Sequence, residues 1–145
     1  IYAYHQVWIT KTPELYQDAT RNLIQAAGKA NSATYAQARR QVDVVRRDIR
    51  KVFASVDLLI TPTQRNVAQM ISGPAAPGGA GGLVNTAAFD VYGLPTISIP
   101  CGFTTSGLPI GLQISGTHFA ESTVLTLAHA YEQATEWHKR RPMLN

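Results

Sequence analysis

The sequence predicts an α/β chain in which helices cover a sheet. Two short Ile-rich runs, Thr96 to Ile99 and Ile110 to Ser115, are bracketed by Gly and Pro and read as buried strands. Asp57 to Thr63 is a third short apolar run, closed by Pro62, and reads the same way. Upstream, Tyr35, Ala38, Val42, Val45, Ile49, Val52 and Val56 recur in steps of three and four, which lays one apolar stripe along a helix.

Taken in order, Tyr2 to Ile9 is apolar and aromatic apart from His5 and Gln6. It reads as helix or strand, with helix preferred. Thr12-Pro13-Glu14 has the form of a helix start: a capping hydroxyl, a proline at the first helical position and an acid at the positive end of the dipole. Tyr16, Ala19, Leu23, Ala26 and Ala27 follow at helical spacing, and Gly28 marks the expected end. Asn31 or Ser32 then caps the longer striped helix. The two helices, linked by Lys29 to Asn31, are expected to form an antiparallel hairpin over 12–56, packed within the chain rather than as a coiled coil.

The sheet and its covering helix are expected over 57–145. Gln64 to Ile71 carries no clear signal, and Ser72 to Gly82, rich in Gly, Pro and Ala, reads as a loop. Leu83 to Tyr92 is a short helix candidate that delivers Gly93 to a strand. Gly-Leu-Pro precedes both Ile-rich runs, which suits a turn feeding a strand. Cys101 to Gly107 is a tight connection, so the two strands should pair antiparallel. A last helix runs from Ala120 or Glu121 to Ala134, with Val124, Ala128 and Tyr131 on one face.

The chain has 145 residues, 45% of them hydrophobic and 15% charged, with a formal net charge of +4. That is one domain's worth of ordinary globular composition. No apolar run approaches the roughly 20 residues that span a bilayer. Ile1 to Gln6 lacks the basic and apolar regions of a signal peptide, and a start at Ile1 gives the expectation of a chain cut from a longer one. Cys101 is the single cysteine, so no internal disulfide forms, and a cytoplasmic location is expected. Arg39, Arg40, Arg46, Arg47, Arg50 and Lys51 follow one helix and read as a solvated face, so neither nucleic acid nor membrane is expected as a partner. The Gly-rich loop has no Gly-Lys-Ser/Thr ending and does not read as a nucleotide site.

Acyl transfer needs a nucleophile, an activating base and oxyanion donors. Nothing in the spacing joins Cys101 to His118, His129 or His138, and the thiol reads as buried and inert. His129 reads as a satisfied helix residue, while His118, beside Phe119 in a loop, is the least easily set aside. Glu132 and Glu136 read as an exposed pair. No His or Cys residues have metal-ligand spacing, and no metal or cofactor is expected.

Gly-Leu-Pro-Thr-Ile-Ser-Ile-Pro-Cys-Gly-Phe from Gly93, then Gly-Leu-Pro-Ile-Gly-Leu-Gln from Gly107, resembles the C-terminal region of the amidase signature family. The likeness runs on through Phe119, Glu121, Leu125, Ala128 to Glu132, Trp137-His138 and Arg140-Arg141-Pro142, and upstream through Asp57 to Thr63. It implies the C-terminal part of a mixed sheet flanked by helices. It also implies a parent that cleaves a carboxamide to acid and ammonia with two Ser and a Lys. Those residues belong to a Gly/Ser-rich signature that this sequence lacks, so no catalytic residue is carried over and this chain alone is expected to be inactive.

By the same resemblance, Arg21 and Phe89 are substrate-pocket candidates, set against an exposed helix Arg and a core Phe. Relatives that use glutamine carry an Asp at a position that falls here in Gly81-Gly82-Leu83-Val84. Its lack counts against the alternative of the A-type chain of a tRNA-dependent amidotransferase. A non-catalytic scaffold module is the other alternative. Asp90 stands where many relatives have Asn, and Ala120 where many have a helix-capping Asp. Removing the rest of a larger sheet would leave edges and apolar faces bare, so self-association is expected.

Overall fold

The computed structural model describes residues 1–68 and 84–141. The Ser72 to Gly82 loop, and Leu83 within the Gly81 to Val84 position, lie outside them. In chain order the elements are α1 (Tyr2–Lys11), a 3-10 turn (Pro13–Leu15), α2 (Asp18–Ala27), α3 (Ser32–Val52) and β1 (Leu58–Pro62). Then come α4 (Val84–Tyr92), β2 (Thr96–Phe103), β3 (Pro109–Gly116), α5 (Glu121–Ala134) and a 3-10 turn (Trp137–Lys139). Close contacts group the chain into two units, Ile1–Asp43 and Val44–Asn145, divided within α3.

In the first unit, α1 packs on α2 and on the Pro13–Leu15 turn. Thr12 does not start the next helix as expected. Its hydroxyl donates to the Trp8 carbonyl at 3.2 Å, which closes α1. Pro13 opens only a single 3-10 turn, Tyr16 is extended, and helix resumes at Asp18. The later start turns the buried face by one residue. Ile24 is 1% exposed, whereas Leu23, placed on the apolar face by the sequence pattern, is 63% exposed. Gly28 ends α2 at φ −68°, an ordinary helical value rather than a left-handed cap. Its lack of a side chain serves Tyr2, whose ring lies 2.7 Å from where a Cβ would stand. Asn31 caps α3 as expected, its Oδ1 accepting from the Thr34 N–H at 2.8 Å. The α3 stripe, however, contains no buried residue among those described.

In the second unit β3 is the centre of an antiparallel sheet of order β1-β3-β2. Ile114 faces Ile60 on one side and Ile97 on the other, and Leu112 faces Pro62 and Ile99. α5 lies on this face, where Ile99, Ile114, Val124 and Ala128 form the core with Leu58, Ile97, Leu112, Leu127 and Tyr131 around it. The expectation that Ile97, Ile99, Leu112 and Ile114 are all buried holds in full for Ile99 and Ile114; Ile97 and Leu112 are half-buried. β1 is also less buried than expected, with Ile60 exposed, because it is an outer strand of the described sheet.

The prolines of the strands are placed where a missing N–H costs little. Pro62 and Pro100 are on the outer strands, and Pro109 is the first residue of β3. That is why β2 continues through Pro100 to Phe103 instead of stopping at Ile99. Cys101 is the extra residue of a bulge between Pro100 and Gly102. Gly107, at φ +84°, closes the hairpin with its N–H on the Thr104 carbonyl at 2.9 Å.

α4 ends as the Gly-Leu-Pro signal implies. Gly93 sits at φ +71°, its N–H 3.1 Å from the Asp90 carbonyl, and the Leu94 N–H is 3.2 Å from the Phe89 carbonyl. Asp90 therefore serves the turn through its backbone; its carboxylate makes no hydrogen bond among the described residues. Ala120 occupies the N-cap of α5 with no side-chain bond. No helix among the described residues is long and apolar enough to cross a membrane.

Candidate functional site

The four histidines and the thiol do not form a nucleophile–base pair. Cys101 is half-buried, and its Sγ donates only to the Ile110 carbonyl at 3.5 Å. His118 donates from Nε2 to the Tyr92 carbonyl at 3.0 Å, so it ties the β3–α5 corner to the end of α4. His129 is exposed on α5, and His5 is paired with the Tyr16 hydroxyl at 3.0 Å. No hydrogen bond joins Cys101 to a histidine among the described residues, where no three-residue metal cluster occurs either. Glu136 lies beyond α5 and pairs with Lys139 at 2.7 Å, so it does not act with Glu132. Hydrogen bonds from the neighbouring lysines hold the carboxyls of Asp48 and Glu136 below the usual range, but both pairs are solvated.

Arg21 is committed within its own unit. Its guanidinium pairs with Asp18 and donates to the Pro13 carbonyl at 3.3 Å, bracing the step between the 3-10 turn and α2. Phe89 is half-buried on α4 and meets Tyr92 edge to face, centroids 6.3 Å apart. The two candidates belong to different units.

A feature not anticipated from the sequence is the polar face of the sheet, opposite α5. Alternation along the strands puts Thr61 and Thr63 of the β1 segment, Thr96 and Ser98 of β2, and Gly111, Gln113 and Ser115 of β3 on one side. Gln113 and Ser115 are 1% and 0% exposed, so their polar atoms need partners. Gln113 Nε2 donates to Thr61 Oγ1 at 3.2 Å, and Thr96 Oγ1 donates to Ser115 Oγ at 2.9 Å. At the far end the Thr63 and Ser98 hydroxyls meet at 2.6 Å, reaching over β3 at Gly111. A Cβ on Gly111 would stand 2.7 Å from Thr63 Oγ1 and 2.9 Å from Ser98 Oγ, so only glycine leaves the hydroxyls room to meet. The signal was present as the period-2 spacing of Thr, Ser and Gln within runs read for their apolar residues.

The chain has known relatives. The family model described as Amidase matches residues 4–125. The chain is 39% identical over 116 residues to the A-type chain of the glutamyl-tRNA(Gln) amidotransferase of Thermodesulfovibrio yellowstonii, covering 77% of this chain and 24% of that protein. It thus spans about a quarter of the length of that relative. Among solved structures, 6-aminohexanoate cyclic dimer hydrolase complexed with substrate is 28% identical at a TM-score of 0.71, over 84% of this chain and 28% of that one. A bacterial aryl acylamidase of the amidase signature family, 24% identical, shares the fold at a TM-score of 0.76 over 98% of this chain and 34% of its own. With the family model matched over most of its residues and its helices and sheet superposing on solved relatives, the chain belongs to the amidase signature family.

Proposed function

We propose that this chain is the C-terminal part of an amidohydrolase that cleaves carboxamide C–N bonds, with the nucleophilic Ser, the second Ser and the Lys supplied outside these 145 residues. The observation that carries this reading is the amidase match over residues 4–125 in a chain that covers only about a quarter of its relatives. The 28% identical hydrolase supports hydrolysis as the reaction. The role of this portion is then to provide sheet and covering helices, with Phe89 of α4 a candidate for the wall of the acyl pocket. Cytoplasmic action on a small amide follows from the same reading.

The test is ammonia release from primary carboxamides. A complete reading frame containing these residues is expected to turn over, and the 145-residue chain alone to give none. Turnover by the isolated chain that Cys101→Ala abolishes would overturn the proposal. The 39% identity to the A-type chain of an amidotransferase favours a second reading, in which glutamine is the amide donor. The lack of an Asp in Gly81 to Val84 opposes it. Glutamine turnover well above that of simple amides would decide for the second reading.

We further propose that the isolated chain self-associates. β1 and β2 are the outer strands of the described sheet, and Ile60 is exposed on one of them. Bare edges and apolar residues of this kind template pairing with another chain. Light scattering across a concentration series is expected to show a dimer or larger species. A monomer at every concentration would instead favour a self-sufficient scaffold module.

A further inference from the structure

A pocket of about 630 Å³ lies where the far end of β2 meets the Trp137–Lys139 turn, which packs on that strand. Its volume is that of a small-ligand site. The walls are of two kinds. Phe103 and Trp137, with ring centroids 6.1 Å apart, supply apolar surface together with Pro100 and Pro109. Both rings are half-buried, so each keeps surface open to the pocket. Arg140 and Arg141 supply charge, and no acidic residue is among the described ones that line the pocket. Glu136, the acid closest in sequence, pairs with Lys139 at 2.7 Å and forms an ion pair with neither arginine.

The two guanidiniums are held in place with donors to spare. Arg140 lies over the Phe103 ring, its Cζ 3.9 Å from the centroid. That contact engages the face of the guanidinium and leaves the N–H groups of its edge for an acceptor. Arg141 donates from Nη1 to the His138 carbonyl at 2.9 Å and reaches the Arg140 carbonyl at 3.5 Å. Its Nε and Nη2 donate to no group among the described residues, and neither arginine forms an ion pair there. Cationic forks beside two aromatic faces call for an anionic head on a flat apolar body. Like charge disfavours an ammonium. The two oxygens of a carboxylate match the edge of a guanidinium, whereas the three of a phosphate need further donors, and Pro100 and Pro109 have no N–H to offer. We propose that this pocket binds an aromatic carboxylate, its head on Arg140 and Arg141 and its ring against Phe103 and Trp137. The site is at the opposite end of β2 from α4 and Phe89, and it does not depend on the amidohydrolase reading.

The experiment titrates the complete protein with 2-naphthoate, 2-acetylnaphthalene, 2-naphthylmethylammonium, 2-naphthyl phosphate and acetate, followed by calorimetry and by ¹H–¹⁵N shifts that include the Trp137 indole. 2-Naphthoate is expected to bind with shifts centred on Phe103, Gly107 and Trp137, and to bind less tightly as salt rises. The neutral ketone is expected to bind about tenfold more weakly, as is 2-naphthoate to Arg140→Gln and to Arg141→Gln. The phosphate should be weaker than the carboxylate, and the ammonium and acetate weaker than either. Arg140→Lys keeps the charge without the fork and should not restore the parent's affinity. Both arginines are exposed, so the melting temperature should not change in these variants. Equal binding of the ketone, preference for the phosphate or the ammonium, shifts that spare Trp137, or unchanged affinity in both glutamine variants would overturn the proposal. Ammonia release is a separate readout: its failure removes the amidohydrolase reading and leaves this site standing.

Discussion

Ile114→Asp is expected to abolish folding of the sheet-bearing unit. Ile114 is 0% exposed and lies at the middle of the central strand, between Ile60 and Ile97 and beneath Val124 and Ala128. Losing its side chain alone would cost about 2–5 kcal/mol through lost burial and the cavity left behind. An unpaired carboxylate at the same point adds a desolvation penalty of several kcal/mol. A domain of this size is stable by only about 5–15 kcal/mol in total, so the sum exceeds or matches what is available. Dispersed amide resonances should collapse and the cooperative melt should disappear. Ile114→Val keeps the apolar contact and should lose only about 0.5–1.5 kcal/mol. Ile60→Asp places the same charge on an exposed edge residue and should fold. A native-like melt for Ile114→Asp would mean that the core is not centred on β3.

Ile60 and Ile114 also mark how far the fold was legible. Both sit in short Ile-containing runs bounded by breakers, and both runs are strands, because that pattern reflects local geometry. Strand order is not local. Nothing in the run from Asp57 to Thr63 says that it pairs with β3 and lies at an edge of the described sheet, and that pairing decides which Ile is buried. The helix start at Thr12 failed for a similar reason. Thr12-Pro13-Glu14 carries sound capping chemistry, but the Thr12 hydroxyl serves the helix before it. The apolar phase of α2 then shifts from Leu23 to Ile24.

The site divides in the same way. That no spacing joins Cys101 to a histidine was readable, and among the described residues no hydrogen bond joins them. The polar sheet face was not read, although Thr61, Thr63, Thr96, Ser98, Gln113 and Ser115 alternate visibly. In a run judged by its Ile residues, the intervening hydroxyls look like the solvated side of a half-buried strand. Only the pairing of β1 and β2 across β3 brings them together, and only the burial of Gln113 and Ser115 shows that the centre of this face is closed to water, while Thr96 and Ser98 on β2 stay exposed.

Gly116→Val is expected to destabilise the sheet-bearing unit by about 1–3 kcal/mol, the range for forcing extra atoms into a packed interior. Gly116 ends β3 where the chain turns toward α5. A Cβ there would stand 2.9 Å from Val124 Cγ2, 3.1 Å from Ala120 Cβ and 3.4 Å from the Ala120 carbonyl. Val124 is a core residue held between α5 and the sheet, and the Ala120 contacts include backbone, so none of the three can swing aside as a long side chain would. The two extra methyls of valine worsen the overlap. Gly102, in the bulged part of β2, is the control: nothing lies within 4 Å of its Cβ position, and its φ is not positive. Gly102→Val should change stability by less than about 0.5 kcal/mol, as is usual for substitutions away from packed features. In the sequence the two are alike, each a glycine near an Ile-rich run. The contrast is measured by denaturant midpoint with the slope held constant. Equal effects from the two substitutions would mean that α5 does not seat on the end of β3 as closely as Val124 and Ala120 place it.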